Sequence, residues 1–157
     1  DDDTRLDILQ QTARAVAYLH ALPVPVLHRD LKSPNVLLTE DNDVLVCDFG
    51  LARDMVNLRE RPLTPSLGTA EWTAREVFAG SAYGKPADVY SLGILCWELF
   101  NKTDEKPFER LDRSQIAHTV LYSDTRPAGS CSTRRSRRSK GFSSVLLNSS
   151  RPACRSR

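Results

Sequence analysis

Apolar residues recur along the first 22 positions at helical spacing. Leu6, Leu9, Ala13 and Val16 form one stripe at intervals of three and four, with Ile8, Ala15, Leu19 and Leu22 beside it. Two adjacent stripes predict a helix buried on more than one side. Thr4 followed by Asp7 resembles a capping box with Asp in place of Glu, which sets the expected start, and Pro23 and Pro25 stop the helix. The period then changes. Val36-Leu37-Leu38 and Val44-Leu45-Val46 are short apolar runs separated by the polar Thr39-Glu40-Asp41-Asn42-Asp43, a pattern that predicts a small β-hairpin.

Residues 50–70 contain Pro62, Pro65 and Gly68 and no sustained period, so a loop is expected there. A loop of that length inside a compact domain is usually functional or disordered. From Ala87 to Phe100 the apolar positions point all round, and Pro86 suits a first helical position, which together predict a central helix. A weaker pattern over Ser114 to Leu121 predicts one more helix, and no internal repeat is present. The expected fold is therefore mainly α with a small β-hairpin.

Composition adds three constraints. The chain has 157 residues, enough for one domain, and 40% apolar content, enough for a core. No run approaches the roughly 18 apolar residues of a membrane span. The start, Asp1-Asp2-Asp3-Thr4, has neither the basic end nor the apolar stretch of a signal peptide, so a cytoplasmic, membrane-free protein is expected. Cys47, Cys96, Cys131 and Cys154 are scattered, with no C-x-x-C pair, which favours reduced thiols over zinc or a disulfide framework.

Charge divides the chain. Residues 128–157 hold seven Arg, one Lys and no acid, so a net charge of +2 overall leaves −6 on residues 1–127. The same stretch holds nine Ser and almost no periodic apolar pattern, and Cys131 to Lys140 reads as a solvated basic tail. The expected organisation is a folded domain over 1–127 and a disordered Ser/Arg-rich tail over 128–157. The tail admits three readings: an interaction or nuclear-import arm, a phosphorylatable linker, or sequence substituted for another C-terminus, of which the third is favoured. Nucleic-acid binding through Arg134-Arg135-Ser136-Arg137-Arg138 would be electrostatic only and ranks low, with Phe142 the one nearby aromatic.

Two short runs carry the chemistry. The first is His28-Arg29-Asp30-Leu31-Lys32-Ser33-Pro34-Asn35, and the second is Asp48-Phe49-Gly50, eighteen residues from Asp30 to Asp48. A lone Asp in a loop is more often a turn or cap residue, and a lone D-F-G is weak. The ordered set, with a hairpin-length spacer between its parts, is specific. On these residues the chain resembles the larger, C-terminal lobe of a eukaryotic protein kinase. Gly68-Thr69-Ala70-Glu71-Trp72-Thr73-Ala74-Arg75-Glu76 resembles the G-T-x-x-W-M-A-P-E segment of serine/threonine kinases of the tyrosine-kinase-like group, such as mixed-lineage or Raf-related enzymes. Lys32, two residues past Asp30, fits serine/threonine rather than tyrosine kinases, and Asp88-Val89-Tyr90-Ser91-Leu92-Gly93 resembles the start of the family's central helix.

The resemblance implies roles. Asp30 would orient the substrate hydroxyl and accept its proton, and Lys32 would meet the transferring phosphate of ATP. Asn35 and Asp48 would bind Mg²⁺, a hard ion that favours oxygen ligands. Phosphoryl transfer needs reactants held in line and charge neutralised, and a hairpin with Asp30 and Asn35 at one end and Asp48 at the other opens both on one cleft. His28, Phe49 and Gly50 belong to the same motifs, with Gly50 allowing the tight backbone that turns Asp48 inward. Asp88 would hold the backbone of the catalytic loop. Arg29 would pair with a phosphate on the activation segment, for which Thr64 and Ser66 are the nominated acceptors, while Thr69 would contact the catalytic loop.

There are departures from the pattern. No G-x-G-x-x-G and no V-A-I-K precede the first helix, and each missing phosphate clamp would cost about 10²–10³ in rate. Arg75 replaces the proline of A-P-E, and the arginine with which Glu76 would pair would lie in last helices that the pattern after Pro127 does not supply. Their loss should uncover the central helix around Trp97 and Phe100. The expectation is a partial serine/threonine kinase domain, weak or inactive alone, with a protein substrate and upstream or downstream kinases as partners. The alternative is a non-catalytic interaction module.

Overall fold

The computed structural model describes residues 1–56, 68–101, 105–123 and 127. The architecture is mostly helical, with two small two-stranded sheets. Helix α1 spans Asp2–Ala21 and helix α3 spans Lys85–Phe100; between them lie strands β1 (Val26–Leu27), β2 (Val36–Leu38), β3 (Val44–Val46) and β4 (Arg53–Asp54) and the one-turn helix α2 (Arg75–Phe78). Helix α4 covers Arg113–Tyr122, and 3₁₀ turns sit at Ser33–Asn35, Phe49–Leu51 and Ala70–Trp72.

The first helix begins earlier than its sequence suggested. Asp1, not Thr4, is the cap: its carboxylate accepts the Thr4 amide and hydroxyl, both at 2.8 Å. The Asp/Ser/Thr-x-x pattern is present one turn upstream, with Thr4 in the donor role. Pro86 lies in the first turn of α3, as its fixed φ allows. Helix α4 opens on a full capping box that the periodicity missed, Asp112 accepting from Ser114 and Gln115 while Gln115 reaches back to the Asp112 amide at 2.9 Å. The Ser114 hydroxyl and these amides hold the Asp112 carboxyl below the usual range.

The core lies between α1 and α3. Leu9, Val16, Leu31, Leu92 and Leu95 are buried together, with Val36, Val46 and Phe100 packed against them. Each fully buried Leu or Val contributes about 1.5–3 kcal/mol. A second cluster joins Ala70, Ile116 and Val120 to Phe78, Phe108 and Leu111, seating α4 against the 70–72 turn. The expected exposure of Trp97 and Phe100 is not found; both are half-buried, Phe100 against the main core. The exposed large apolar residues are elsewhere, notably Leu37, Leu38, Leu45 and Phe49.

The hairpin pairs Val36 with Val46, Leu37 with Leu45 and Leu38 with Val44, over the two runs the sequence marked. Its turn is closed by Thr39–Asp43 backbone pairing and by Asn42 at φ 65°, a conformation Asn tolerates. Gln11 of α1 fastens the turn: its Oε1 accepts the Val44 amide at 2.9 Å and its Nε2 donates to the Asn42 carbonyl at 3.2 Å. The second sheet was not expected. β1 and β4 pair antiparallel, Val26 with Asp54 and Leu27 with Arg53, and β4 lies inside the stretch read as loop.

Candidate active site

The hairpin delivers the two motifs to one place. The Asn35 carbonyl accepts the Cys47 amide at 2.9 Å, so the ladder continues one step past β2 and β3, and Asp48 follows directly. His28 closes the same end from behind. Its Nδ1 accepts the Asp30 amide at 3.3 Å, so its Nε2 carries the proton donated to the Cys47 carbonyl at 3.0 Å. The fully buried His28 ring also packs against Phe49, centroids 5.0 Å apart.

Asp30 is the hub. One carboxylate oxygen accepts the Thr69 amide at 3.1 Å and its hydroxyl at 3.0 Å; the other accepts Lys32 Nζ at 2.7 Å and Asn35 Nδ2 at 3.3 Å. Lys32 also donates to Thr69 Oγ1 at 2.9 Å. Burial opposes ionisation of Asp30, but the Lys32 ammonium and the Thr69 donors outweigh it and hold the carboxyl below the usual range. The group is thereby kept as a carboxylate.

Asn35 is oriented by its amide nitrogen, which also donates to the Asp30 carbonyl at 2.8 Å and leaves its oxygen free of that work. Asp48 is exposed and sits at φ 61°, its Oδ1 accepting the Gly50 amide at 3.3 Å. A Cβ on Gly50 would come within 3.1 Å of that Oδ1. Two oxygen donors at one hairpin end, one amide and one carboxylate, fit a hard cation such as Mg²⁺. Among the described residues no cluster of three or more His, Cys, Asp or Glu side chains could hold a metal.

Asp88, in the first turn of α3, is 1% exposed and carries the loop from beneath. It accepts the backbone amides of His28 and Arg29, each at 2.9 Å, and His20 Nε2 of α1 at 2.8 Å. Arg29 itself has φ 71°, donates to the Leu51 carbonyl at 3.2 Å and lies over the Tyr83 ring, 5.4 Å from its centroid. Burial pushes the Tyr83 hydroxyl pKa up, against the pull of Arg29.

The structure thus brings Asp30, Lys32, Asn35, Thr69, His28, Arg29 and Asp88 into one bonded network, with Asp48, Phe49 and Gly50 at its edge. Thr64 and Ser66 lie outside the described residues. Glu76, in α2, has no ion-pair partner among the described residues.

Two contributors went unread in the sequence. Ser91 Oγ donates to the Trp72 carbonyl at 2.7 Å, and Glu98 accepts both Ser33 Oγ at 2.9 Å and Trp72 Nε1 at 2.8 Å. Burial pushes the Glu98 carboxyl up and Glu71 adds to it, against those two hydrogen bonds. The signal was available: Asp88, Ser91 and Glu98 are polar positions spaced by three and seven in an otherwise apolar helix, which puts them on one face.

No helix among the described residues is long and apolar enough to cross a membrane. Comparison with known proteins agrees with the geometry. A family model described as protein kinase domain matches residues 1–152, running past the boundary expected at 127. The serine/threonine-protein kinase TNNI3K of Mus musculus is 39% identical over 128 residues, covering 81% of this chain and 15% of that protein. The probable serine/threonine-protein kinase SIS8 of Arabidopsis thaliana is 38% identical over 126 residues, 80% of this chain and 12% of that protein. Mitogen-activated protein kinase kinase kinase 7 of Homo sapiens is 45% identical over 103 residues, 64% of this chain and 16% of that protein. The chain therefore spans less than a fifth of the length of these relatives, and it belongs to the protein kinase domain family.

Proposed function

We propose that this chain supplies the C-lobe half of a serine/threonine kinase site, transferring the γ-phosphoryl group of ATP to a protein hydroxyl. One observation carries the reading: a buried carboxylate, Asp30, held ionised between an ammonium and a threonine at the same hairpin end as Asn35 and Asp48. Asp30 has the acceptor lone pairs to orient a serine or threonine hydroxyl and take up its proton as the oxygen attacks. Lys32, already within 2.7 Å of that carboxylate, supplies positive charge where phosphoryl oxygens would gather. Asn35 and Asp48 would hold Mg²⁺, which neutralises phosphate charge when bound.

Thr69 fixes the acceptor side, since its amide and hydroxyl both engage Asp30. Asp88 fixes the loop, and His28 locks the loop to the hairpin through its two ring nitrogens. Positioning of this kind is the main service a protein renders to phosphoryl transfer. The domain proper is proposed to be residues 1–127, with a protein substrate and other kinases as partners.

The test is transfer from radiolabelled ATP with Mg²⁺ to a serine- or threonine-bearing protein, for the chain and for Asp30→Asn. In parallel, Mn²⁺·ATP is added to isotopically labelled protein. Transfer by the chain alone should be weak and should fall by a further factor of about 10² or more in Asp30→Asn, the usual worth of a positioned base. Mn²⁺·ATP should broaden the signals of Asn35 and of Asp48 to Gly50. Transfer indifferent to Asp30, or broadening confined to other residues, overturns the reading.

A non-catalytic interaction module has one observation in its favour. Leu37 and Leu45 are cross-strand partners, 49% and 55% exposed, an apolar pair suited to being covered.

A further inference from the structure

Helix α3 addresses the site with three polar side chains on one face. Asp88 holds the backbone of the 28–30 loop and Ser91 holds the Trp72 carbonyl. Glu98 differs from both, because it touches two segments at once. Its Oε1 accepts the Ser33 hydroxyl at 2.9 Å and its Oε2 accepts the Trp72 indole at 2.8 Å. Ser33 lies between Lys32 and Pro34 of the catalytic loop, and Trp72 lies three residues beyond Thr69.

Those two segments are already joined once, by Thr69 on Asp30 and Lys32. A single tie between two loops leaves a pivot about itself. A cavity of about 20 Å³, room for one water, lies where the two segments meet α3, with Asp30, Thr69, Trp72, Thr73, Asp88 and Ser91 among its lining. A second tie restricts that pivot: Asp88 and Ser91 each hold one segment to α3, whereas Glu98 holds both, through Ser33 and Trp72.

We propose that Glu98 is a positioning residue, acting through Ser33 and Trp72 to set the distance and tilt of the 69–73 segment relative to the Asp30 carboxylate. The inference rests on the phosphoryl-transfer reading for its catalytic consequence, but its geometric content stands apart. A carboxylate suits the task, since one rigid group offers acceptors in two directions to a hydroxyl and an indole that come from different loops. Glutamine preserves the reach and both bonds, its oxygen accepting the indole and its amide donating to a reoriented serine hydroxyl. Alanine preserves neither.

The test uses the full chain with Glu98→Ala, Glu98→Gln, Ser33→Ala and Trp72→Phe. Amide hydrogen exchange is read at Thr69, with Leu9 and Val16 of α1 as internal standards, and the indole proton of Trp72 is followed by NMR. In Glu98→Ala the Thr69 amide should exchange about tenfold faster, the equivalent of one lost hydrogen bond, while the α1 amides keep their rates. Ser33→Ala and Trp72→Phe, each removing one arm, should do the same to a smaller degree, which keeps the test open should Glu98→Ala not fold. Glu98→Gln should restore Thr69 and keep the Trp72 indole bonded. Kinetically, kcat should fall about tenfold in Glu98→Ala, the scale expected for a small misplacement of reacting groups, with KM for Mg·ATP unchanged and Glu98→Gln recovering most of the loss. Unaltered Thr69 exchange in Glu98→Ala, or in both single-arm variants, overturns the inference whatever the transfer assay gives. Transfer that ignores Asp30 overturns the phosphoryl-transfer reading instead, and the exchange data then decide the tie alone.

Discussion

Asp88 accepts the backbone amide of Arg29 at 2.9 Å, and Arg29 is the residue at which the loop takes a left-handed turn, φ 71°, one position before Asp30. That conformation costs a side chain-bearing residue about 1–3 kcal/mol. A buried carboxylate receiving two consecutive amides is a strong enough acceptor to offset it. The aim of the loop that carries Asp30 is therefore set by a side chain from a different element, 59 residues away.

Asp88→Ala should be among the most damaging single changes. It strands the amides of His28 and Arg29 and the ring nitrogen of His20 without their acceptor. A loss of about 3 kcal/mol is expected, read as a lower urea midpoint, with Asp88→Asn retaining part of it.

Gly68 should not tolerate alanine. Its φ of 97° suits only glycine, and an added Cβ would lie 3.1 Å from the Arg29 carbonyl and 3.7 Å from Asp30 Oδ1. Gly68→Ala is expected to cost about 1–3 kcal/mol in urea unfolding and to accelerate exchange of the Thr69 amide, because the clash pushes the two loops apart.

The Asp30 carboxyl gives a pH dependence of definite sign. Burial raises its pKa, but Lys32 and Thr69 lower it more, so its folded value lies below its unfolded one. Its stabilising contribution is present above the ordinary aspartate range near about 3.9 and is lost as pH falls through the folded value. The stability difference between the chain and Asp30→Asn should be greatest at neutral pH and shrink in urea titrations run progressively below about pH 4. A difference that grows on acidification contradicts the assignment.

Leucines should divide by position rather than by type. Leu95, 2% exposed between α1 and α3, should cost about 2–5 kcal/mol on truncation to alanine. Leu45, 55% exposed on the hairpin, should cost about 0.5 kcal/mol or less. Paired thermal or urea melts check the contrast.

Much of this was legible in the sequence, and what was not has a physical cause. The stripe Leu6-Leu9-Ala13-Val16 marked α1 because helical period survives partial burial, and the two apolar runs marked the hairpin strands to the residue. The cap was misplaced by one turn because Asp1 and Thr4 are both competent caps and only geometry chooses between them. The β1–β4 pair contains two residues a side, too few for any period to register. Asp88 was read from a motif, whereas Ser91 and Glu98, doing related work on the same helix face, were passed over as helix polar residues. Trp97 and Phe100 were expected to be bare because their packing partners were sought in later helices, while Phe100 in fact rests on the α1–α3 core.

The fastening of Gln11 to Asn42 and Val44 reaches beyond the fold. Polar surface turns are where grafted epitopes and affinity handles are normally accepted, and the Thr39–Asp43 turn has the look of such a place. Any insert there would pull Val44 off its tether and slide β3 along its partner. That strand ends beside Cys47, so the disturbance would arrive at Asp48. A handle for this protein belongs somewhere other than its most inviting turn.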